Sequence, residues 1–282
     1  MRWFGSLLLF LAFAAKSTAQ ERKLRVLTTF LPLYSLTVNV ADELADVRNL
    51  LNSGTALHDY QLSPADMKKI EEADLIVANG LGADSFLERI VGAKEKVVTI
   101  SDGLKENLIQ EHVGVNPHIW LDPLLAAHGV TNILRALQKA DAANAAGYAT
   151  NATRYVSQLK TLDQEIAAKT SAIKNVAFLT YHDAFPYFTR RYGLKLVGVI
   201  ETVPDVTPSP REFSKIHQTI RQRKAKALFT SPEAPMRMAK QIAKDSGMKL
   251  GELDPLETGT LSAAAYEEGI RRNAENLVKT LK

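Results

Sequence analysis

The first half of the chain alternates short apolar runs with longer segments of helical periodicity. The runs LRVLTT (24–29), LIVAN (75–79) and KVVTI (96–100) are brief and are bounded by polar residues or glycine. A further short run lies near 47–51, after a helical pattern at 32–45. Such runs are typical of buried strands in βαβ units. The pattern therefore predicts a parallel sheet with helices packed on it.

The second half repeats this rhythm. Strands are predicted at VAFLTY (176–181), LKLVGVI (194–200), KALFTS (226–231) and MKLGEL (248–253). Helical patterns occupy 185–192, 210–223, 235–246 and 263–281. The fold class predicted from both halves is α/β, with two Rossmann-like lobes of similar size.

One long helix is predicted between the lobes, from 142 to 174. The segment has no proline, and Tyr148, Tyr155 and Leu162 recur every seven residues on one apolar stripe. Leu159, Ile166 and Ile173 extend that stripe. A helix of this length would measure about 50 Å, too long for one small lobe. We therefore expect a rigid linking helix at 142–174 between an N-terminal lobe at 20–141 and a C-terminal lobe at 175–282.

The N-terminal segment 1–19 has the pattern of a secretory signal peptide. Arg2 precedes an apolar run from Leu7 to Ala15, and Ser17-Thr18-Ala19 resembles a cleavage site. The chain has no cysteine, which excludes disulfides and thiolate metal ligands. A bacterial lipoprotein anchor also needs a cysteine. We therefore expect a periplasmic protein without a lipid anchor.

The net charge gives no indication of a nucleic-acid partner. The formal charge of +4 includes Arg2 and Lys16, and without them 33 basic and 31 acidic side chains leave +2. No basic stripe with interleaved aromatic residues is present. The balanced surface predicts no binding to nucleic acid.

The candidate chemistry lies in four short motifs. His58 begins HDYQLSPAD (58–66), His118 lies in NPHIWLDP (116–123), His182 lies in YHDAFPYF (181–188), and Asp254 lies in ELDPL (252–256). Three of these residues, His58, His182 and Asp254, follow predicted strands, and ligands of open α/β sheets collect at the carboxyl ends of strands. Three imidazoles and one carboxylate are sufficient to bind one divalent transition metal.

Simpler roles compete with metal binding for each of these residues. A single loop histidine is more often hydrogen-bonded or solvated than a ligand, and Asp254 before a proline is compatible with a turn. Trp120 suits core packing, and Ser63 and Asp122 suit helix caps. Ordinary surface roles are expected for His112, His128 and His217. A role in orienting the histidines is open for Asp59 and Asp183, and proximity to the site is open for Glu201 and Glu233.

The order of the motifs resembles a known family. HDYQLSPAD, ADLIVANGLG, NPHIWLDP, the helix around Tyr148 and Tyr155, YHDAFPYF and ELDPL resemble the solute-binding proteins of zinc and manganese ABC importers. The resemblance runs from about residue 23 to the end of the chain. It implies two α/β lobes bridged by a long helix, with a metal site in the cleft. It also implies that His58, His118, His182 and Asp254 are the metal ligands.

The resemblance implies capture of a metal and its delivery to a membrane permease. The nitrogen-rich ligand set favours Zn²⁺ first and Mn²⁺ second. We expect a monomer that is not an enzyme. Two alternatives remain, a metal-dependent adhesin and a zinc hydrolase. Neither an HExxH nor a GxSxG motif is present to favour the hydrolase.

Replacement of the second motif histidine tests the ligand set. His118→Ala should sharply reduce metal loading and leave the fold intact, because a loop ligand is removed. Elemental analysis of the purified variant, beside His128→Ala as a control, measures the effect. Stoichiometric metal in His118→Ala would refute the assignment of His118.

Overall fold

The first sheet is parallel and is built from the first half of the chain. The computed structural model describes residues 22–282 apart from 56, 58, 59, 91, 93, 112, 113, 202–208, 233 and 235, so the predicted signal segment lies outside the described residues. Strands β1 (Leu24–Thr28), β2 (Ala45–Asn49), β3 (Leu75–Ala78) and β4 (Val97–Thr99) pair in the order β2-β1-β3-β4. The predicted strands of this half are confirmed within one or two residues.

The hairpin and the second sheet complete the strands of the described residues. Strands β5 (Gln110–Glu111) and β6 (Gly114–Val115) form an antiparallel hairpin that the sequence patterns did not predict. Strands β7 (Phe178–His182), β8 (Leu196–Glu201), β9 (Ala227–Thr230) and β10 (Lys249–Glu252) pair in parallel in the order β10-β9-β7-β8.

Helices follow most of the strands, as a βαβ pattern requires. They are α1 (Leu31–Ala41), α2 (Pro64–Glu72), α3 (Pro123–Ala140), α4 (Ala145–Thr170), α5 (Pro186–Tyr192), α6 (Pro210–Arg223), α7 (Met236–Asp245) and α8 (Ala265–Leu281). Across the described part of the chain, none of these helices has both the length and the apolar character needed to cross a membrane.

Two helices begin where capping residues fix them. At α2 the Ser63 hydroxyl accepts a hydrogen bond from the Asp66 backbone N–H, and the Asp66 carboxylate accepts one from the Ser63 N–H. At α3 the Asp122 carboxylate accepts from the backbone N–H groups of Leu124 and Leu125. Each cap satisfies N–H groups that have no partner inside the helix. The predicted caps at Ser63 and Asp122 are confirmed.

Helix α4 is the predicted linking helix. It has 26 residues, which corresponds to about 39 Å, and short 3₁₀ turns at 142–144 and 171–173 extend it at both ends. Its apolar stripe is buried, with Tyr148, Tyr155, Leu159, Leu162 and Ile166 each 0% exposed. The helix is therefore shorter than the predicted continuous helix but occupies the same segment.

Helices α4 and α8 both join elements from the two halves of the chain. Helix α4 packs against α1, α3, α5 and α8, and α8 packs against α1 and β10. The Asp163 carboxylate of α4 accepts two hydrogen bonds from Arg191 of α5, at 2.7 and 2.6 Å. Gly147 lets α4 approach Leu44 closely, because a Cβ there would lie 2.6 Å from a Leu44 methyl carbon. One apolar core cluster thus contains residues of both halves of the chain, and a second, smaller cluster lies within the second half.

The carboxyl ends of the central strands carry polar groups at both sheets. The strand order changes direction between β1 and β3 and between β7 and β9, the positions where α/β proteins bind ligands. Beyond β3, the fully buried Asp84 carboxylate accepts hydrogen bonds from the backbone N–H groups of Asn79 and Gly80, at 2.6 and 2.9 Å. Burial raises the pKa of Asp84 to about 6, since these hydrogen bonds offset only part of the loss of solvation.

Asp84 should make the stability of the fold depend on pH. Because its pKa is raised in the folded chain, its favourable contribution is complete below about pH 4 and is lost as the pH rises through about 6. Asp84→Asn removes this titration and keeps an acceptor for both N–H groups. The native chain should lose stability between pH 4.5 and pH 7.5 through Asp84, whereas the variant should not. The difference in melting temperature, variant minus native, should therefore be several degrees larger at pH 7.5 than at pH 4.5.

Thermal unfolding at the two pH values measures this difference. The exposed Glu95 provides the matched control, and Glu95→Gln should follow the native chain at both values. If the melting temperatures of Asp84→Asn and the native chain differ by the same amount at pH 4.5 and pH 7.5, the role given to Asp84 is contradicted.

Candidate metal centre

Two histidines and one glutamate bring their ligand atoms together between the two sheets. His118 Nε2 lies 3.1 Å from Glu257 Oε1 and 3.2 Å from His182 Nε2. His182 Nε2 lies 3.6 Å from the same Glu257 oxygen. The three side chains are only 4%, 13% and 11% exposed for His118, His182 and Glu257, respectively. They form a group of metal-binding residue types within the described part of the chain.

The dimensions of this triangle suit a small divalent cation. A tetrahedral zinc ion with bonds of about 2.0–2.1 Å has neighbouring ligand atoms about 3.3 Å apart. The three separations here are 3.1, 3.2 and 3.6 Å. A point about 0.7 Å above the plane of the three atoms lies about 2.0 Å from each of them, which matches the bond lengths of a tetrahedral ion. The cluster can therefore provide three corners of a tetrahedron.

His118 is held by a rigid segment between the hairpin and α3. It directly precedes a 3₁₀ turn, Ile119–Leu121, whose three residues are fully buried. The His118 ring lies 5.0 Å from the Trp120 ring, and Phe30 packs against the same indole at 4.9 Å. Burial among aromatic rings leaves the His118 ring little freedom to rotate.

His182 is placed by the second sheet. It is the last residue of β7, and its backbone is in register with Glu201, the last residue of β8. Strand β7 is central in its sheet, next to β9, so its carboxyl end lies at the change of strand direction. The expected position of His182 at the carboxyl end of a strand is confirmed, and its role as a ligand stays a prediction.

Glu257 is placed by a loop that hydrogen-bonds to the first half of the chain. The Trp120 indole N–H donates to the Pro255 carbonyl at 2.7 Å, and the Thr258 hydroxyl accepts from the Gly54 backbone N–H. Leu256 has a φ of 63°, unusual for a residue with a side chain, and packs against Gly269, where a Cβ would collide with it. Glu257 directly follows Leu256, and its carboxylate lies against His118.

Asp254 shapes the same loop. Its carboxylate accepts a hydrogen bond from the Leu256 backbone N–H at 2.7 Å, which is the geometry of an Asx turn. Its backbone N–H donates to the Asn273 side chain, which in turn donates to the Asp254 carbonyl. Asp254 does not belong to the group of converging ligand atoms in the described residues. Its assignment as a ligand therefore stays a prediction beside the turn that it forms.

The other predicted residues take varied positions. His58, Asp59, His112 and Glu233 lie outside the described residues, and of Glu201 only the backbone is described. His128 contacts the Asp102 carbonyl at 2.6 Å, and His217 contacts the Ser246 hydroxyl at 3.4 Å. His118 and His182 are thus the predicted ligands that the described structure brings together.

Glu257 was not predicted as a site residue. It lies one position beyond the ELDPL motif and directly follows Leu256. The sequence feature that could have indicated Glu257 is its position as an acidic residue just after an Asp-Pro turn at the end of a predicted strand. The spacing alone gave no reason to prefer it to Asp254, because the choice depends on the left-handed backbone of Leu256.

Two further carboxyl groups surround the ligands. Burial, followed by the nearby Glu111, raises the pKa of Asp183 to about 6, against the opposing effect of His182. Burial also raises the pKa of Asp254, and the charges of Glu252 and Glu257 add to the rise. Negative groups are thus crowded around the cluster, and a bound cation would relieve their repulsion.

Comparison with known proteins identifies the family. The family model of ZnuA, the periplasmic component A of zinc-uptake complexes, matches residues 26–280. The chain belongs to this family. The zinc-binding protein AdcA of Streptococcus pyogenes serotype M3 is 30% identical over 93% of this chain. The chain spans 57% of the length of that relative. Another relative, from Streptococcus pneumoniae strain R6, is named a zinc-binding lipoprotein, and it is 28% identical over 97% of this chain and 58% of its own length.

Solved structures confirm the two-lobed fold. The SBP FpvC of Pseudomonas aeruginosa in complex with Mn²⁺ has a TM-score of 0.84 and 30% identity, over 92% of this chain and 98% of its own. The laminin-binding protein Lmb of Streptococcus agalactiae has a TM-score of 0.83 and 30% identity, over 93% of this chain and 100% of its own. Lmb is described as a bifunctional protein with adhesin and metal-transporting activity. The family is one of solute-binding transport proteins, and the predicted resemblance is confirmed.

Two conservative substitutions separate the roles of Glu257 and Asp254. Glu257→Gln removes a charged ligand and should weaken zinc binding by about 100-fold or more, because outer contacts of a ligand alone cost 10–100-fold. Asp254→Asn keeps an oxygen for the Leu256 N–H and should change zinc affinity by less than about threefold. Competition with a chromophoric chelator measures both constants.

Each substitution replaces a carboxylate by an amide of the same length, and both residues lie in the same loop. Each variant is therefore the control for the other. A large loss of affinity in Asp254→Asn with no loss in Glu257→Gln would reverse the assignment.

Proposed function

We propose that this chain is the substrate-binding component of a metal ABC importer. It captures a divalent transition metal, zinc first and manganese second, and delivers it to the membrane permease. The observation that carries the proposal is the triangle of His118, His182 and Glu257 ligand atoms, with sides of 3.1–3.6 Å. Membership of a zinc-uptake family supports the same conclusion.

The proposed ligands are His58, His118, His182 and Glu257. A closed zinc site takes four ligands, and the converging atoms provide three of them. His58 is proposed as the fourth because it begins the first motif of the family resemblance. Two or three imidazoles with one carboxylate suit zinc better than manganese, which prefers harder oxygen ligands. Asp254 is then the turn-forming neighbour of Glu257.

Capture should link the two lobes, which we assign to 20–141 and 175–282 on either side of the linking segment 142–174. Glu257 lies in a loop that hydrogen-bonds to Trp120 and Gly54 of the first half, whereas His182 ends a strand of the second sheet. A metal bound to both would hold His182, and with it the second sheet, against the other proposed ligands. Helices α4 and α8 contact elements of both halves and limit the movement to small tilts.

The proposed setting follows from the same family. We propose that the protein acts as a monomer in the periplasm and that it reaches this compartment through a signal peptide at 1–19. The expectation that it has no lipid anchor is not supported by the comparisons, because one relative is named a lipoprotein. Its partner is the permease of the importer, and it has no catalytic activity of its own.

A second candidate function is adhesion. It is favoured by the 30% identity to Lmb, which is described as both an adhesin and a metal transporter. Binding of the metal-loaded chain to immobilised laminin, compared with the metal-free chain, tests it. A zinc hydrolase is the weaker alternative because four protein ligands leave no open position for a catalytic water.

Zinc should stabilise the folded chain strongly. At a free zinc concentration 1,000 times the dissociation constant, binding adds about 4 kcal/mol to the free energy of unfolding. For a chain of this size, that corresponds to a rise of roughly 8–16 °C in melting temperature. Calorimetry of the metal-free protein, before and after zinc is added, measures the rise.

Manganese and magnesium serve as comparisons in the same experiment. Manganese should give a smaller rise, and magnesium should give almost none because it prefers oxygen ligands. An unchanged melting temperature in the presence of zinc would refute the proposed function.

A further inference from the structure

The side chain of Asn116 contacts the loops of both metal-binding histidines. Asn116 is 1% exposed and lies two residues before His118. Its Oδ1 accepts hydrogen bonds from the His118 backbone N–H and from the His118 ring at Nδ1, both at 3.0 Å. Its Nδ2 donates to the Asp183 carbonyl at 2.8 Å and to Glu111 Oε1 at 2.7 Å. One carboxamide therefore bridges the segments that carry His118 and His182.

The neighbours of Asn116 determine which way its amide faces. The His118 backbone N–H can only donate, so the amide oxygen must face it. The Asp183 carbonyl can only accept, so the amide nitrogen must face that carbonyl. Because the same oxygen lies 3.0 Å from His118 Nδ1, this contact favours the neutral imidazole that carries its proton on Nδ1.

We propose that Asn116 is the positioning residue of the metal centre. It holds His118 in the tautomer whose Nε2 carries the lone pair, and it fixes the distance between the two histidine loops. This inference rests on the proposed function, since it concerns how the same site binds metal. Asn116 does not touch the metal itself, and it acts through His118 and through the backbone that follows His182.

The tautomer matters because the other ring nitrogen faces a competing acceptor. His118 Nε2 lies 3.1 Å from Glu257 Oε1. Without an acceptor at Nδ1, the ring proton would be most stable on Nε2, where Glu257 accepts it. A metal would then have to displace that proton before it could bind. An acceptor behind the ring therefore favours metal binding, as partners of ligating histidines generally do.

An amide suits this position better than a carboxylate. The side of Asn116 that faces away from His118 meets the Glu111 carboxylate and the Asp183 carbonyl, which are both acceptors. Only a donor satisfies them. The backbone of Asn116 is fixed as well, because its carbonyl accepts from the Tyr187 hydroxyl at 2.8 Å and its N–H donates to the Ile109 carbonyl at 3.0 Å. The carboxamide therefore operates from a fixed backbone.

Asn116→Ala tests the whole proposal. Zinc affinity, measured by chelator competition, should fall by about 10–100-fold. In the metal-free variant at pH 8, ¹H–¹⁵N correlation spectra of the imidazoles should show the His118 proton moving from Nδ1 to Nε2. A purely structural role would not shift the tautomer. The His118 signals are assigned by their absence in His118→Gln.

Asn132→Ala is the matched control. Asn132 is also a buried asparagine, and its amide donates to the carbonyls of Thr99, Ile100 and Asp102, away from the cluster. This variant should lose stability and keep both native zinc affinity and the native His118 tautomer. Native affinity together with a native tautomer in Asn116→Ala would overturn the proposal.

Asn116→Asp separates the two roles and serves if the alanine variant does not fold. Aspartate still accepts from His118 Nδ1, so the tautomer should be native, but it cannot donate to the Asp183 carbonyl. Zinc affinity should therefore fall, by less than in Asn116→Ala. Native affinity in Asn116→Asp would overturn the loop-bridging role, and an Nε2–H tautomer would overturn the tautomer role. A native chain that binds no zinc would instead refute the proposed function.

Discussion

Two imidazole nitrogens and a carboxylate oxygen lie within 3.6 Å of one another in a mostly buried crevice. Lone pairs on an imidazole nitrogen and on a carboxylate oxygen repel each other at this distance, so such an approach is favourable only with a proton or a cation between the atoms. The raised pKa values of the neighbouring Asp183 and Asp254 carboxyls result mainly from burial, and nearby acidic groups add to them. The crevice thus keeps several acidic groups away from solvent, and a bound divalent cation would offset their charge.

The scaffold that maintains this arrangement is built from ordinary α/β elements. Parallel strands bring their carboxyl ends to one edge of each sheet, and β7 delivers His182 there directly. Trp120 contacts residues of both halves of the chain. Its ring packs on His118, its N–H holds the Pro255 carbonyl, and its own carbonyl accepts from the Tyr266 hydroxyl of α8 at 2.7 Å. One buried indole thus fixes the distance between His118 and the Glu257 loop.

The local elements were predictable because their causes are local. The apolar runs gave the strands of both sheets, Ser63 and Asp122 marked the starts of two helices, and the seven-residue spacing of Tyr148, Tyr155 and Leu162 identified the buried face of α4. The β5–β6 hairpin was missed because it has only two residues in each strand and no alternating pattern. Helix α4 is shorter than the predicted helix because the chain forms 3₁₀ turns at both of its ends, at 142–144 and 171–173.

The site was predictable only in part, because the position of Glu257 depends on the tertiary structure. His118 and His182 are in distinctive motifs, and both converge. The choice between Asp254 and Glu257 depends on an Asx turn, on the left-handed backbone of Leu256 and on the contact of Leu256 with Gly269 in a distant helix. The loop that carries Glu257 follows a strand of the second sheet, but it hydrogen-bonds to Trp120 and Gly54, which belong to the first half of the chain. Glu257 is thereby grouped with His118, and His182 Nε2 already lies 3.2 Å from His118 Nε2, so a cation bound to all three side chains would hold the end of β7 against this pair.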